Sequence, residues 1–294
     1  MKSTVGVVGL GIMGNAIALN LKKAGFGVLA TNRSPARRDA AMAAGLTIVQ
    51  SPREVAEKSE AILVIVTDPA AVKSVLQGPD GVLAAATLQG KVLVQMSTID
   101  EKSTLEIGAM VEEKGMAFLD CPVTGSKKQA EEAQLILLAG GDAGLIDHWS
   151  DLFGAIGKAV VHAGGIGKGT ALKLCMNLIV AQMTTALCES VALAKVQALN
   201  PAKIFEVLGH SPALNCGYFK IKEKTLLEES YPPAFSLNNM LKDIRFMDQT
   251  AKSKRLNIPV TQAVKYLMEM AAADGHGDED LTSVLSILKP ASKV

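Results

Sequence analysis

A chain of 294 residues is too long for one typical domain and suits two of ordinary size. Hydrophobic residues make up 49%, enough for a large core without metals or disulfides, while aromatics at 4% are too few for the stacking platforms that grip single-stranded nucleic acid. A formal net charge of +1 gives nothing to attract DNA or an anionic membrane, so neither is expected as a partner.

Met1-Lys2-Ser3 leads straight into Thr4 to Leu10, where glycines interrupt the apolar run too early for a signal sequence, and a cytoplasmic location is expected. Thr4 to Val8 reads as a strand ending at Gly9, and Asn15 to Lys23 as a helix closed by Ala24-Gly25. Strands follow at Val28 to Thr31 and Thr47 to Val49. Ser51-Pro52-Arg53-Glu54 is a helix start, with Ser51 as cap, Pro52 at the first helical position and Glu54 completing a capping box. Ala61 to Val66 is a nearly pure strand run, and Asp68-Pro69 repeats the cap-then-proline device. Lys91 to Gln95 is a strand, Asp100 to Lys114 a helix, and shorter strands follow at Ala117 to Leu119, Leu135 to Leu138 and Ala159 to Val161. Strand runs without alternation, separated by helices, imply an α/β doubly wound parallel sheet of the Rossmann type, which binds ligands at the carboxyl ends of its strands.

After Gly164 the texture becomes all-helical. Thr170 to Leu199 reads as one long helix, apolar nearly all round and therefore expected to be buried on most faces. Its charge-free stretch between Lys173 and Glu189 is too short to span a bilayer. Further helices are expected at Pro201 to Leu208, Gly217 to Glu229, Met240 to Ser253 and Thr261 to Ala273. The domains are accordingly placed at 1–163 and 164–294. Cys121, Cys175, Cys188 and Cys216 make no C-x-x-C pair; four could close two disulfides, but free thiols in a reducing cytosol suit a large apolar chain better. His148, His162, His210 and His276 lack metal-ligand spacing, and no metal is expected.

Gly9-Leu10-Gly11-Ile12-Met13-Gly14 is G-x-G-x-x-G between a strand and a helix, the setting in which that pattern is informative. Gly9 permits a tight turn, Gly11 lets the backbone approach a diphosphate, and Gly14 lets helix and strand pack closely. A dinucleotide cofactor follows. At the end of the second strand an NAD-binding chain usually carries an acid for the ribose 2′-hydroxyl. Here stand Asn32, Arg33 and Ser34, with Arg37 and Arg38 nearby, a set that attracts a 2′-phosphate, so NADP(H) is expected in preference to NAD(H). The alternative, a solvated helix face, fits Arg37 and Arg38 better than Arg33.

Further motifs stand in order along the chain: Asp120-Cys121-Pro122-Val123-Thr124-Gly125-Ser126, Gly167-Lys168-Gly169 through Lys173 to Asn177, and Lys242-Asp243. With the glycine loop they resemble the β-hydroxyacid dehydrogenases, which include 3-hydroxyisobutyrate dehydrogenases and tartronate semialdehyde reductases. Gly125-Ser126-Lys127-Lys128 and Tyr231-Pro232-Pro233-Ala234-Phe235 are similar to one branch of that family, the glyoxylate and succinic semialdehyde reductases, which work with NADPH. The resemblance implies Lys173 as the catalytic acid and Thr124, Gly125, Ser126, Asn177 and Phe235 as substrate contacts. It also implies that Thr67, Thr98, Lys242 and Asp243 lie along the cofactor. The residues agree with this. A lysine early on an apolar helix is desolvated and so gives up its proton more easily. Asn177, four residues on, shares its helix face. The loop with Thr124 and Ser126 offers hydroxyls and N–H groups to a carboxylate. Lys127 and Lys128 either attract an anionic substrate or are solvated surface. Asp243 either orients Lys242 or caps local backbone. Phe235 lines a pocket or simply packs in the core. One departure is Asn239, where the branch usually has a histidine three residues before its lysine.

The leading expectation is therefore NADPH-dependent reduction of a small carboxylate-bearing aldehyde. Its rivals are 3-hydroxyisobutyrate oxidation with NAD, tartronate semialdehyde reduction, and a non-catalytic NADPH-binding sensor. Imine reductases share the architecture but lack the lysine. The apolar long helix is hard to cover with one chain, so a homodimer is expected, or a homotetramer.

Overall fold

The computed structural model describes residues 2–288; residues 1 and 289–294, the latter the tail of the expected second domain, lie outside them. Two compact units meet between Lys173 and Leu174.

In chain order the first unit holds β1 (Thr4–Val8), α1 (Ile12–Lys23), β2 (Gly27–Thr31), α2 (Pro35–Ala43) and β3 (Thr47–Ile48). Then come α3 (Pro52–Lys58), β4 (Ala61–Val64), α4 (Pro69–Leu76), β5 (Val92–Gln95), α5 (Glu101–Glu113) and β6 (Ala117–Asp120). It closes with β7 (Val123–Thr124), α6 (Lys127–Glu131), β8 (Leu135–Gly140), α7 (Ala143–His148), α8 (Ser150–Gly154) and β9 (Gly157–Gly164). The sheet runs β3-β2-β1-β4-β5-β6-β8-β7, with β9 on β8. From β3 to β6 every pair is parallel. The strand order reverses at β1 and β4, and it is at the carboxyl ends of the strands at such a switch that sheets of this kind bind ligands.

Burial explains the unbroken apolar strands. All four residues of β4 are buried. One face of the sheet packs Ile17 and Leu21 of α1 with Leu152 and Phe153 of α8. The other packs Val55 of α3, Val72 and Leu76 of α4, and Ile107 and Val111 of α5. The sheet is not wholly parallel, however. β8 runs antiparallel to β6 and β7, and β9 then returns parallel to β8. Between β7 and β8 stands only the five-residue α6, too short for the crossover that a parallel return requires.

The long helix α9 (Lys168–Val196) leaves the first unit and enters the second. Within the second, α9 residues Leu174 and Ala181 join α12 (Leu237–Ser253) and α13 (Pro259–Ala271) in one core. Farther along, Leu187 and Val191 pack with Phe205 of a helix Ala202–His210 (α10) and Leu226 of a helix Gly217–Glu228 (α11). A π turn at Ala272–His276 and a 3-10 stretch at Leu281–Ile287 follow α13. Over its 29 residues α9 is long and apolar enough to cross a bilayer by length and composition, which its charge-free stretch did not foretell. It is also less buried than its apolarity implied: Ile179, Leu193 and Val196 are exposed. The buried side instead holds polar groups in its middle, with Thr184 bonded to the Tyr218 hydroxyl at 2.5 Å and Asn177 to Asp243. All four cysteines are free thiols, Cys121 and Cys188 buried, and burial pushes the Cys188 thiol up to about 12.

Candidate active site

The loop from β1 to α1 is shaped by its glycines. Gly9 sits at φ +105°, where a Cβ would strike the carbonyl of Ile65, and a Cβ on Gly14 would strike the carbonyl of Gly9. Above Gly11 the space is open, and the nearest outside atom to a Cβ built there is Nη1 of Arg37 at 3.6 Å. Gly11 is the N-cap of α1 and caps it with no side chain, and no acid stands in the first turn. Those N–H groups and the open backbone suit a diphosphate. Ile12 is exposed and Met13 packs on the core beneath.

Asn32 holds this loop from the end of β2: its Oδ1 accepts from the N–H of Leu10 at 3.0 Å, and Gly9 N–H donates to Thr31 at 3.0 Å. The Asn32 side chain thus serves the loop through its oxygen, a use not foreseen from sequence. Arg33 and Arg37 are exposed, and Ser34 stands at the N-cap of α2 without a side-chain cap bond. Arg37, for which the sequence left a solvated face as a plausible alternative, is exposed as that alternative has it, and its guanidinium also reaches over Gly11.

The loops after β4 and β5 are tied together. The Ser97 hydroxyl accepts from Val66 N–H at 2.9 Å, and the Gln95 amide oxygen accepts from Ser97 N–H. Thr67 and Thr98 are the next residues along these two loops, Thr67 exposed and Thr98 half-buried. Asp68 caps α4 through Ala71 N–H at 2.9 Å and accepts from the Thr67 hydroxyl at 2.7 Å. Gln95 Nε2 is buried with no hydrogen-bond partner among the described residues. Neither Gln95 nor Ser97 was anticipated, since a polar residue closing an apolar strand carries no local signal of a partner.

β6 ends at Asp120, and the chain passes through Cys121 and Pro122 to Thr124. Burial pushes the Cys121 thiol well above its usual range, so it stays protonated and unreactive. Gly125 has φ +148°. Ser126 caps α6 in a capping box: its Oγ accepts from Gln129 N–H at 3.4 Å, and its own N–H donates to Gln129 Oε1 at 2.7 Å. That N–H is therefore engaged, and Ser126 retains its hydroxyl proton for a ligand. Lys127 and Lys128 lie near Glu131 and Glu132, each at 3.8 Å on exposed surface, which favours the solvated reading.

The Asp120 carboxylate accepts from Gly167 N–H at 2.8 Å and Thr170 N–H at 2.7 Å. Burial raises its affinity for a proton, and these bonds oppose the rise. Gly140 and Gly169 touch beside it, so the start of α9 lies directly on the ends of β6 and β8. Lys173 stands one turn farther along α9, partly exposed.

In the second unit Asn177 is 3% exposed and its Nδ2 donates to Asp243 Oδ2 at 2.6 Å. Lys242 Nζ lies 3.1 Å from Asp243 Oδ1, and 5.5 Å from the Phe246 ring centre. Asp243 thus orients Lys242, and Asn177 as well. Phe235 packs against the α9, α12 and α13 core. Its segment is held by Asp280, which accepts from Ala234 and Phe235 N–H groups at 3.3 Å each and is paired with buried Lys222 at 2.7 Å. Asn239 is exposed on the first turn of α12, its N–H directed to Ser236 Oγ at 3.4 Å. No group of three or more potential metal ligands gathers among the described residues.

Residues 4–165 match the sequence profile of the NAD binding domain of 6-phosphogluconate dehydrogenase, and residues 167–288 that of the NAD-binding region of NADP-dependent 3-hydroxyisobutyrate dehydrogenase. Glyoxylate/succinic semialdehyde reductase 1 of Arabidopsis thaliana is 35% identical over 285 residues, 97% of this chain and 98% of that protein. The 2-hydroxy-3-oxopropionate reductase of Escherichia coli is 30% identical, covering 97% of each. Among solved structures, a 3-hydroxyisobutyrate dehydrogenase from Salmonella typhimurium superposes with a TM-score of 0.89 at 26% identity, over 97% of this chain and 100% of that one.

Proposed function

Because the chain belongs to the β-hydroxyacid dehydrogenase family and is an NAD(P)-dependent oxidoreductase acting on CH–OH groups, we propose that it reduces small carboxylate-bearing aldehydes with NADPH. Glyoxylate to glycolate and succinic semialdehyde to 4-hydroxybutyrate are the reactions assigned, with Lys173 as the acid. The observation that carries this reading is the seating of α9 on the ends of β6 and β8, one turn before Lys173. The bound nicotinamide supplies the hydride.

Lys173 donates the proton to the carbonyl oxygen as it gains negative charge. The hydroxyls of Thr124 and Ser126, with the backbone at Gly125, bind the substrate carboxylate. Asn177 is held by its own bond to Asp243, so its amide is oriented before substrate arrives. Phe235 supplies an apolar contact at its partly exposed edge. Arg33, with no carboxylate at the end of β2, supports NADPH over NADH, while Asn32 holds the diphosphate loop over which Arg37 lies. Thr67, Thr98 and Lys242 contact the cofactor farther along. The exposed Ile179, Leu193 and Val196 of α9 support self-association through that helix, as a homodimer or a tetramer built from it.

The test is loss of NADPH absorbance with glyoxylate, succinic semialdehyde, methylmalonate semialdehyde and tartronate semialdehyde, each repeated with NADH. Turnover on either of the first two, faster with NADPH, is the expected outcome. Turnover on the last two alone moves the substrate to the other branches of the family. No turnover on any sinks the assigned substrate class.

A further inference from the structure

Resting on Lys173 as the proton donor, we propose that Asp120 is a positioning residue of the reaction, whose buried carboxylate fixes where Lys173 stands over the substrate loop. Asp120 is fully buried at the carboxyl end of β6. Its two oxygens take two N–H groups at the start of α9, Gly167 at 2.8 Å and Thr170 at 2.7 Å. Helix starts leave such donors without intrahelical partners, and an anion there is favoured by both the donors and the helix dipole. The anion is needed because only a carboxylate accepts at both oxygens without carrying a proton between them and their donors.

Steric contact completes the placement. A Cβ at Gly169 would strike the carbonyls of Leu138 and Asp120, and one at Gly140 would strike Asp120 Oδ1 itself. The helix therefore cannot move toward the sheet, and it cannot move away without breaking two charge-assisted hydrogen bonds. Lys173 is four residues beyond Gly169, so it projects from the same helix face, one turn farther out. The strand that supplies Asp120 runs on through Pro122, whose carbonyl accepts from Leu138 N–H at 2.9 Å, to Thr124 and Ser126. One residue thus joins the lysine helix to the loop that reads the substrate carboxylate. The neighbouring cation Lys168 is engaged elsewhere, by Glu101 at 2.7 Å, and Thr170 Oγ1 meets Thr104 Oγ1 at 3.2 Å. Misplacement of a reacting group by about 1 Å is enough to cost roughly a hundredfold in rate.

Three variants test this: Asp120→Asn, which presents an N–H₂ to one of the two donors; Gly169→Ala, which pushes α9 outward and leaves the carboxylate intact; and Lys173→Ala as reference. NADPH affinity by fluorescence reports the fold of the first unit, and kcat is measured against pH. The expected result is that Asp120→Asn and Gly169→Ala bind NADPH within about twofold of the parent, lose tenfold or more in kcat, and shift the alkaline limb of the kcat profile. Unchanged kcat and profile in a variant that binds NADPH normally overturns the proposal. Parallel loss of NADPH binding and turnover in both also overturns it, since the damage is then to the fold. Full activity in Lys173→Ala removes the premise instead, and so separates failure of the parent reading from failure of this one.

Discussion

At the level of single residues, cofactor choice rests on a few charges. A charge-assisted hydrogen bond contributes roughly 1.5–3 kcal/mol, and about 1.4 kcal/mol is a tenfold change in affinity. Arg33→Ala is therefore expected to raise the KM for NADPH about tenfold or more and leave that for NADH nearly unchanged; equal effects on both would refute 2′-phosphate recognition. Arg37→Ala is expected to weaken both cofactors, because its guanidinium lies over Gly11 beside the diphosphate loop that they share. Lys173→Ala is expected to lose about 10²–10⁴ in kcat with cofactor binding intact, measured under saturating substrate. The glycine loop was legible from its spacing, while the roles given to Arg33, Lys173 and Asn177 are proposals, the first two tested by these variants. The Asn32 bond to Leu10, the approach of Arg37 and the Gln95–Ser97 tie were not legible, because each depends on a partner that only the folded sheet brings near.

At the level of elements, caps were the most readable feature. Ser51 accepts from Glu54 N–H at 3.1 Å as its S-P-x-E pattern foretold, although Glu54 reaches back to Gln50 N–H at 2.9 Å and not to the N–H of Ser51. Ser51→Ala is expected to lower stability by about 1 kcal/mol, read from a denaturant midpoint. Strand direction was less readable. β7 has two residues, too few for any alternation, and the reversal around it is written in a turn and not in an apolar pattern. The polar α2 was not located, because it buries Ala41 alone and so shows no apolar period. Between α12 and α13 the clasp is Asp248, which accepts from Lys265 at 2.8 Å, Gln262 at 2.6 Å and Lys252 at 3.0 Å. The Lys265 bond above all, then those of Gln262 and Lys252, hold its carboxyl well below the usual carboxylate range. A depressed carboxyl contributes stability above the unfolded pKa of about 3.9 and loses it progressively as pH falls toward the folded value. Asp248→Asn is expected to be less stable than the parent at pH 7, with the gap narrowing by pH 3; a gap independent of pH would show that the charge is not responsible.

At the scale of the whole molecule, α9 was read correctly as long and apolar but wrongly as buried on most faces. Composition tells which side chains avoid water and not whether their own chain is the one to cover them. Ile179, Leu193 and Val196 remain uncovered, and light scattering is expected to give twice the 30.8 kDa of the chain, or four times. A mass of one chain across a wide concentration range would remove self-association through α9. Replacing Leu193 and Val196 with glutamate is expected to drive the mass down while NADPH binding persists.

The contact of Gly140 with Gly169 also bears on how this enzyme can diversify. Two backbones meet there with no room for a methyl group, so neither position can take part in tuning substrate choice, however close it lies to the chemistry. On the proposed reading of the site, new specificities arise instead from the side chains of Thr124, Ser126 and Phe235. A saturation library selected for activity on longer aldehydo acids should return varied residues at those positions and glycine alone at 140 and 169.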